Sequence, residues 1–199
     1  MANIEHKYKV NEIFYSLQGE GRWAGRAAIF IRFSGCNLKC PFCDTDFKSY
    51  RELTAKDILA ELLEYSQCNF VVLTGGEPTL QVTEEFVDML HSNGYYVAME
   101  TNATRDVPYN VDWVTASPKK AYVKEGVVLL KKADEVKVVF DGVREPETFG
   151  IEAEEYYVQP CDTGDSFKNK LIVQQCVRWV ENYPQWKLSL QQQKILKVR

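Results

Sequence analysis

The sequence predicts an α/β fold: a parallel sheet of six strands curved as a partial (β/α)6 barrel, in one domain spanning 1–199. Three observations point there. Short apolar runs alternate with segments of helical period, the pattern of βαβ units. One run, Ala27–Ser34, is apolar enough to be covered on both faces, as strands of parallel sheets are. A chain of 199 residues, 45% of them hydrophobic, buries a core without staples. Six strands are two short of a complete eight-stranded barrel.

The elements follow in order. Val10–Leu17 reads as an extra strand before the barrel, followed by a loop carrying Gly19, Gly21 and Gly25. Ala27–Ser34 is the first barrel strand, and a cysteine loop follows at 35–49. Thr54 opens a helix with Asp57 three residues on, close to a capping box. Ile58, Leu59, Leu62 and Leu63 give it one apolar stripe. Phe70–Thr74 is a strand, and Val82–Asn93 is a helix with Phe86, Val87 and Leu90 on one face, stopped by Gly94. Tyr95–Glu100, Val111–Ala116, Glu135–Phe140 and Tyr156–Gln159 are further strands. Ser166–Tyr183 is a helix carrying Val173, Cys176, Val177 and Val180 at helical spacing, and Trp186–Gln191 is extended. The segments after Glu100 and after Asp141 hold poor helices, so the helical layer is expected to be thin there.

Composition excludes several functions. Net charge is −4, which argues against a non-specific binder of nucleic-acid backbone. No apolar run reaches the ~18 residues of a membrane span. Met1–Val10 is charged and short of apolar residues, unlike a secretory signal, so the expected location is cytoplasmic. A reducing cytosol rarely keeps disulfides, so the six cysteines read as free, catalytic or metal-bound.

Three of them, Cys36, Cys40 and Cys43, stand as C-x3-C-x2-C just after a buried strand, the functional edge of a parallel α/β fold. Three such thiolates can hold three corners of a cubane iron–sulfur cluster and leave the fourth iron open. Zinc is the alternative, but it wants a fourth ligand, and neither His6 nor His91 is near in sequence. Only distant Cys68, Cys161 or Cys176 could supply one; otherwise these three pack as small apolar groups. Arg32 and Lys39 stand close enough to offset thiolate charge. The glycines of the first loop do not make a dinucleotide site, because their spacing is wrong and a strand follows them.

The segment SGCNLKCPFCDTDF resembles the cluster loop of radical SAM enzymes, including Phe42 before the last cysteine. The resemblance implies a [4Fe-4S] cluster whose open iron binds S-adenosyl-L-methionine (SAM), and a 5′-deoxyadenosyl radical released by reduction. No side chain is then needed as the hydrogen abstractor. From Glu12 on, the opening segment and TGGEPTLQ, METNAT, SPK and VQPCD resemble, in order, the 7-carboxy-7-deazaguanine synthase family. That family is a group of lyases of queuosine biosynthesis. They contract 6-carboxy-5,6,7,8-tetrahydropterin to 7-carboxy-7-deazaguanine with loss of ammonia, use Mg²⁺ and form homodimers. The resemblance implies a small electron donor such as flavodoxin or ferredoxin, and neither a nucleic-acid nor a membrane partner.

It also implies roles. Cys36, Cys40 and Cys43 hold the cluster, and the Thr45 hydroxyl ligates Mg²⁺. SAM meets Phe42, Cys43 and Asp44; Gly76 and Glu77, with Glu77 accepting from its ammonium; and Glu100 at its ribose. Ser117, Pro118 and Lys119 take its carboxylate, and Gln159, Pro160, Cys161 and Asp162 run along its adenine. Substrate meets Leu17, Gln18, Gly19, Glu20, Arg32, Thr74, Gln193 and Arg199. Gln18 offers donor and acceptor, Glu20 accepts paired N–H groups, and Arg32 forks a carboxylate. One position departs from the family: Gln193 stands where many relatives have His, and it cannot shuttle a proton near neutral pH. Two rival readings remain: another small radical SAM enzyme such as a glycyl-radical activase, and a zinc-stabilised interaction domain.

Overall fold

The computed structural model describes residues 6–46 and 49–199. Phe47 and Lys48 of the expected cluster loop, and the first five residues of the expected non-signal terminus, lie outside the described residues. The strands are β1 (Lys7–Leu17), β2 (Ala27–Phe33), β3 (Arg51–Thr54), β4 (Phe70–Gly75), β5 (Tyr96–Thr101), β6 (Trp113–Ala116), β7 (Lys132–Phe140), β8 (Glu152–Pro160) and β9 (Trp186–Leu188). The helices are α1 (Ala55–Leu62), α2 (Glu84–Ser92), α3 (Ser166–Asn182) and α4 (Gln192–Leu196).

All nine strands lie in one sheet of order β3-β1-β2-β4-β5-β6-β7-β8-β9. Every pairing from β2 to β9 is parallel, while β1 runs antiparallel to both β2 and β3. The end strands do not pair with each other, so the barrel is open. The expected extra strand is β1, and the six expected barrel strands are β2 and β4 to β8. The extended segment at Trp186 becomes a seventh parallel strand, β9. Neither β3 nor α4 was expected.

β2 carries Ile29, Ile31 and Phe33 fully buried, and β4 buries Phe70 to Leu73. Each such side chain contributes roughly 1.5–3 kcal/mol by leaving water. α1 begins as expected. The Thr54 hydroxyl accepts from the Asp57 N–H at 3.2 Å, and Asp57 accepts from the Thr54 N–H at 2.8 Å. Its buried stripe is Ala55, Ile58 and Leu62, whereas Leu63 lies past the helix end and is exposed. α2 starts two residues later than expected because Thr83 caps it, and it buries Phe86, Val87 and Leu90. Gly94 follows it with φ +82°, the left-handed conformation that stops a helix. α3 turns part of the expected stripe to the sheet: Cys176 is buried and Val180 packs against the core, with Ile172 in place of the exposed Val177.

The connections β5–β6, β6–β7 and β7–β8 hold no helix among the described residues. One apolar core lies around β1, β2, β4, β5, α1 and α2, and a second around β7, β8 and α3. Cys68 sits in the first and Cys176 in the second. The chain then leaves β9 and crosses the mouth of the sheet back to β1. The Gln192 N–H donates to the Gly19 carbonyl at 3.1 Å, and the Ser16 hydroxyl donates to the Arg199 carbonyl at 2.5 Å.

Candidate active site

The C-terminal ends of the parallel strands, the cysteine loop and the segment Gln191–Arg199 surround one cavity of about 910 Å³. Cys36, Cys40, Phe42, Cys43, Asp44 and Thr45 line its rim. The described part of this loop makes few bonds of its own. The Cys43 N–H donates to the Cys40 carbonyl at 3.2 Å, and the Leu38 N–H donates to the Cys36 sulfur at 3.4 Å. Asn102, after β5, donates to Asn37 at 3.0 Å and steadies the loop from below. The Phe42 ring meets Tyr122 edge-on at 4.8 Å. All six cysteines are free thiols. Among the described residues, no three His, Cys, Asp or Glu side chains are grouped so as to hold one metal ion.

β4 ends at the loop. A Cβ on Gly76 would overlap the carbonyl of Gly35, so only glycine lets β4 approach the cysteine loop this closely. The neighbouring Glu77 does not line the cavity. It is fully buried, and its carboxylate accepts from the Thr79 N–H (3.1 Å) and hydroxyl (2.7 Å), the Thr101 hydroxyl (2.8 Å) and the Asn102 N–H (2.7 Å). Glu77, the expected ammonium acceptor, thus ties the ends of β4 and β5 together. Pro118 is buried and also does not line the cavity.

On the far side, Lys119 and Ser117 do line it, with the Lys119 ammonium donating to the Ser117 hydroxyl at 2.5 Å and carbonyl at 2.6 Å. Burial pushes this ammonium below its ordinary pKa, against a pull from Cys40. An incoming carboxylate would reverse that penalty. Gln159, Pro160, Cys161 and Asp162 also line the cavity. Gln159 accepts from the Ser189 hydroxyl at 2.8 Å. Asp162 is held at about 2 by Lys194, the Gly164 N–H and Asn169. The same Lys194 reaches Asp44 at 2.6 Å, tying α4 to the cysteine loop.

The floor is a polar network. Gln18 donates to Glu100 at 3.0 Å. The Lys137 ammonium lies 2.6 Å from Glu20 and 2.7 Å from Glu100. Glu20 accepts further from Gln191 and Gln193, each at 3.1 Å. Burial would raise the Glu20 carboxyl, but Lys137 and the two amides win and hold it low. Burial likewise opposes the Lys137 charge, and Glu100, Glu20 and Glu135 together hold it protonated. Glu100, expected at the SAM ribose, is joined through Gln18 and Lys137 to the residues expected at the substrate. Leu17, Gly19 and Thr74 complete this side, and the Oε1 of Gln193 is buried with no partner.

At the open end, Arg32 donates to Glu12 at 2.9 Å, and Arg199 pairs with the other oxygen of Glu12. Both guanidiniums lie over the Phe14 ring, at 5.6 and 5.2 Å. The structure thus gathers the expected residues round one cavity, apart from Glu77 and Pro118. Sequence reasoning missed Lys137, Glu12, Gln191 and Lys194. No local signal marked Lys137, because it alternates with apolar residues as in a strand with one face to water.

An open parallel barrel with three thiols on the loop after its first strand, facing a cavity, defines a radical SAM enzyme, and residues 30–122 match the Radical SAM superfamily. The 7-carboxy-7-deazaguanine synthase of Bacteroides thetaiotaomicron is 46% identical over 96% of this chain and 98% of that one. The enzyme of the same name from Bradyrhizobium diazoefficiens is 39% identical over 96% and 99%. The crystal structure of QueE from Escherichia coli superposes with a TM-score of 0.71 at 27% identity, over 93% of this chain and 94% of that one. The chain belongs to the 7-carboxy-7-deazaguanine synthase family. Membership implies a [4Fe-4S] cluster and SAM. The donor set fits: three thiols without a histidine are the soft ligands of an iron–sulfur cluster. No helix among the described residues is long and apolar enough to cross a membrane.

Proposed function

We propose that this chain converts 6-carboxy-5,6,7,8-tetrahydropterin to 7-carboxy-7-deazaguanine with loss of ammonia. The observation that carries the reading is that one cavity joins three cluster-type thiols at its rim to a floor of hydrogen-bond acceptors. Cys36, Cys40 and Cys43 hold the cluster, which with SAM supplies a carbon radical able to abstract hydrogen. The protein's own side chains then bind and orient. Lys119 and Ser117 take the SAM carboxylate, and Phe42, Gly76 and the Gln159–Asp162 segment enclose the rest of it. Gln18, Glu20 and Gln193 meet the amino-pyrimidinone edge of the pterin, whose N–H donors suit carboxylate and amide oxygens. Arg32 and Arg199 meet the substrate carboxylate, with Glu12 holding both guanidiniums in place. Thr45 holds Mg²⁺ together with substrate oxygens.

The family resemblance supports the remainder of the reading: a cytoplasmic homodimer reduced by flavodoxin or ferredoxin. The deciding experiment is anaerobic turnover of the pterin with SAM, reductant and Mg²⁺. The expected product is 7-carboxy-7-deazaguanine, at a rate that falls when Mg²⁺ is removed. Formation of 5′-deoxyadenosine alone would keep the superfamily and defeat the substrate.

A further inference from the structure

Lys137 is a buried group to which no step above gives a role. It stands on β7 with Glu135 and Val139 on the same face, while Val136, Val138 and Phe140 alternate onto the other. Only 3% of its side chain is exposed. Two carboxylates from different parts of the fold converge on its one ammonium: Glu20 from the loop after β1, and Glu100 from the end of β5. The β7 backbone is itself pinned there, since the Ser117 hydroxyl donates to the Lys137 carbonyl at 2.8 Å.

We propose that Lys137 is a positioning residue for the substrate: its ammonium sets the spacing and orientation of Glu20, which meets the N–H donors of the pterin, and of Glu100, which holds Gln18 beside it. The proposal rests on the pterin reading above. Without this cation the two carboxylates would face one another across a buried gap, and like charges so placed cannot both stay ionised near neutral pH. With it, each keeps one oxygen turned to Lys137 and the other to the neutral amides Gln18, Gln191 and Gln193. The charged and titratable groups facing this point are Glu20, Glu100, Glu135 on the same strand, and Lys119 from the loop after β6. Glu135 is raised by burial, against a pull from Lys137, and adds to the two carboxylates that hold the Lys137 charge.

The test is equilibrium binding of 6-carboxytetrahydropterin to the cluster-loaded, unreduced enzyme with SAM present, titrated between about pH 6 and pH 8. The wild-type Kd is expected to be flat across this window. Lys137→Met should bind about tenfold or more weakly at about pH 8, because its two carboxylates lose their common partner. Its affinity should fall further towards pH 6, as one carboxylate takes up a proton and stops accepting. Lys137→Arg, which keeps the charge, should remain closer to wild type at both ends. Lys137→Gln keeps a donor but not the charge; it serves if the methionine variant fails to fold, and should show the same pH dependence. Wild-type affinity in the uncharged variants, or a loss independent of pH and shared in full by Lys137→Arg, would overturn the proposal. A wild-type enzyme that does not bind the pterin would instead remove the substrate reading itself.

Discussion

The rim and the floor of the cavity are built on opposite principles. The described part of the rim loop carries three free thiols and is steadied from outside by Gly76, Asn102 and Lys194. The floor is a network in which the four oxygens of Glu20 and Glu100 already have partners. The rim is therefore a receptor for a group that completes it, whereas the floor is set before any ligand arrives. A site that couples a reactive cofactor to an oriented substrate needs both, because orientation is only useful if it precedes reaction.

The largest break in this contrast is expected at the rim. Gly76→Ala puts a methyl group into the Gly35 carbonyl, a backbone atom that cannot swing aside. Overpacking of this kind costs about 1–3 kcal/mol, and here the displaced element is the cysteine loop itself. Iron content after reconstitution should fall severalfold, and SAM cleavage with it; full iron loading would contradict the account. A smaller effect is expected at the floor from Gly19→Ala. Its Cβ would overlap the side-chain amide of Gln193, a group that can move, and crowd the Gln193 N–H. Pterin affinity should weaken about tenfold, the equivalent of one good hydrogen bond to a charged group, while iron content stays at the wild-type level.

The smallest effect concerns pH. Burial raises the Glu135 carboxyl, and its Oε1 has no partner. A raised carboxyl gives stability that is complete below the unfolded value near 4.5 and lost as pH rises through the folded one. Glu135→Gln removes that loss. Its melting temperature relative to wild type should therefore rise between about pH 5 and pH 8, and a difference that is constant with pH would refute the burial argument.

The same contrast explains what the sequence made legible. The rim lies in a contiguous motif, so Cys36, Cys40 and Cys43 were readable at once, and the apolar runs of β2 and β4 announced themselves. The floor is assembled from residues 18, 20, 100, 137, 191 and 193, which no local pattern joins. Glu135, Lys137 and Val139 alternate with apolar residues, as a strand facing water does; alternation cannot tell water from a polar cavity. Glu77 was legible as a functional type but not as a buried strut, because its four donors come from two strand ends. β3 escaped for a simpler reason: Arg51–Thr54 is polar and largely exposed, and only pairing with β1 makes it a strand. The stripe of α3 was legible at Cys176 and Val180 but not at Ile172, because apolar residues occur on two adjoining faces and packing against β8 and β9 chose between them.

The crossing segment from Gln191 to Arg199 has one more consequence. Its contacts with β1 and the loop after it join positions 171 to 187 residues apart, yet no strand pairing depends on them. Such contacts close the longest loops in the molecule, and their entropic cost is met by a handful of polar bonds rather than by a core. Detachment of this strap is thus a local opening that leaves the sheet standing, with a free energy well below that of global unfolding. Opening of the strap, which carries the Gln191 and Gln193 donors to Glu20, and unfolding of the sheet are then expected as separate equilibria. Amide exchange should reveal them as two protection classes, fast along the strap and slow in β2 and β4.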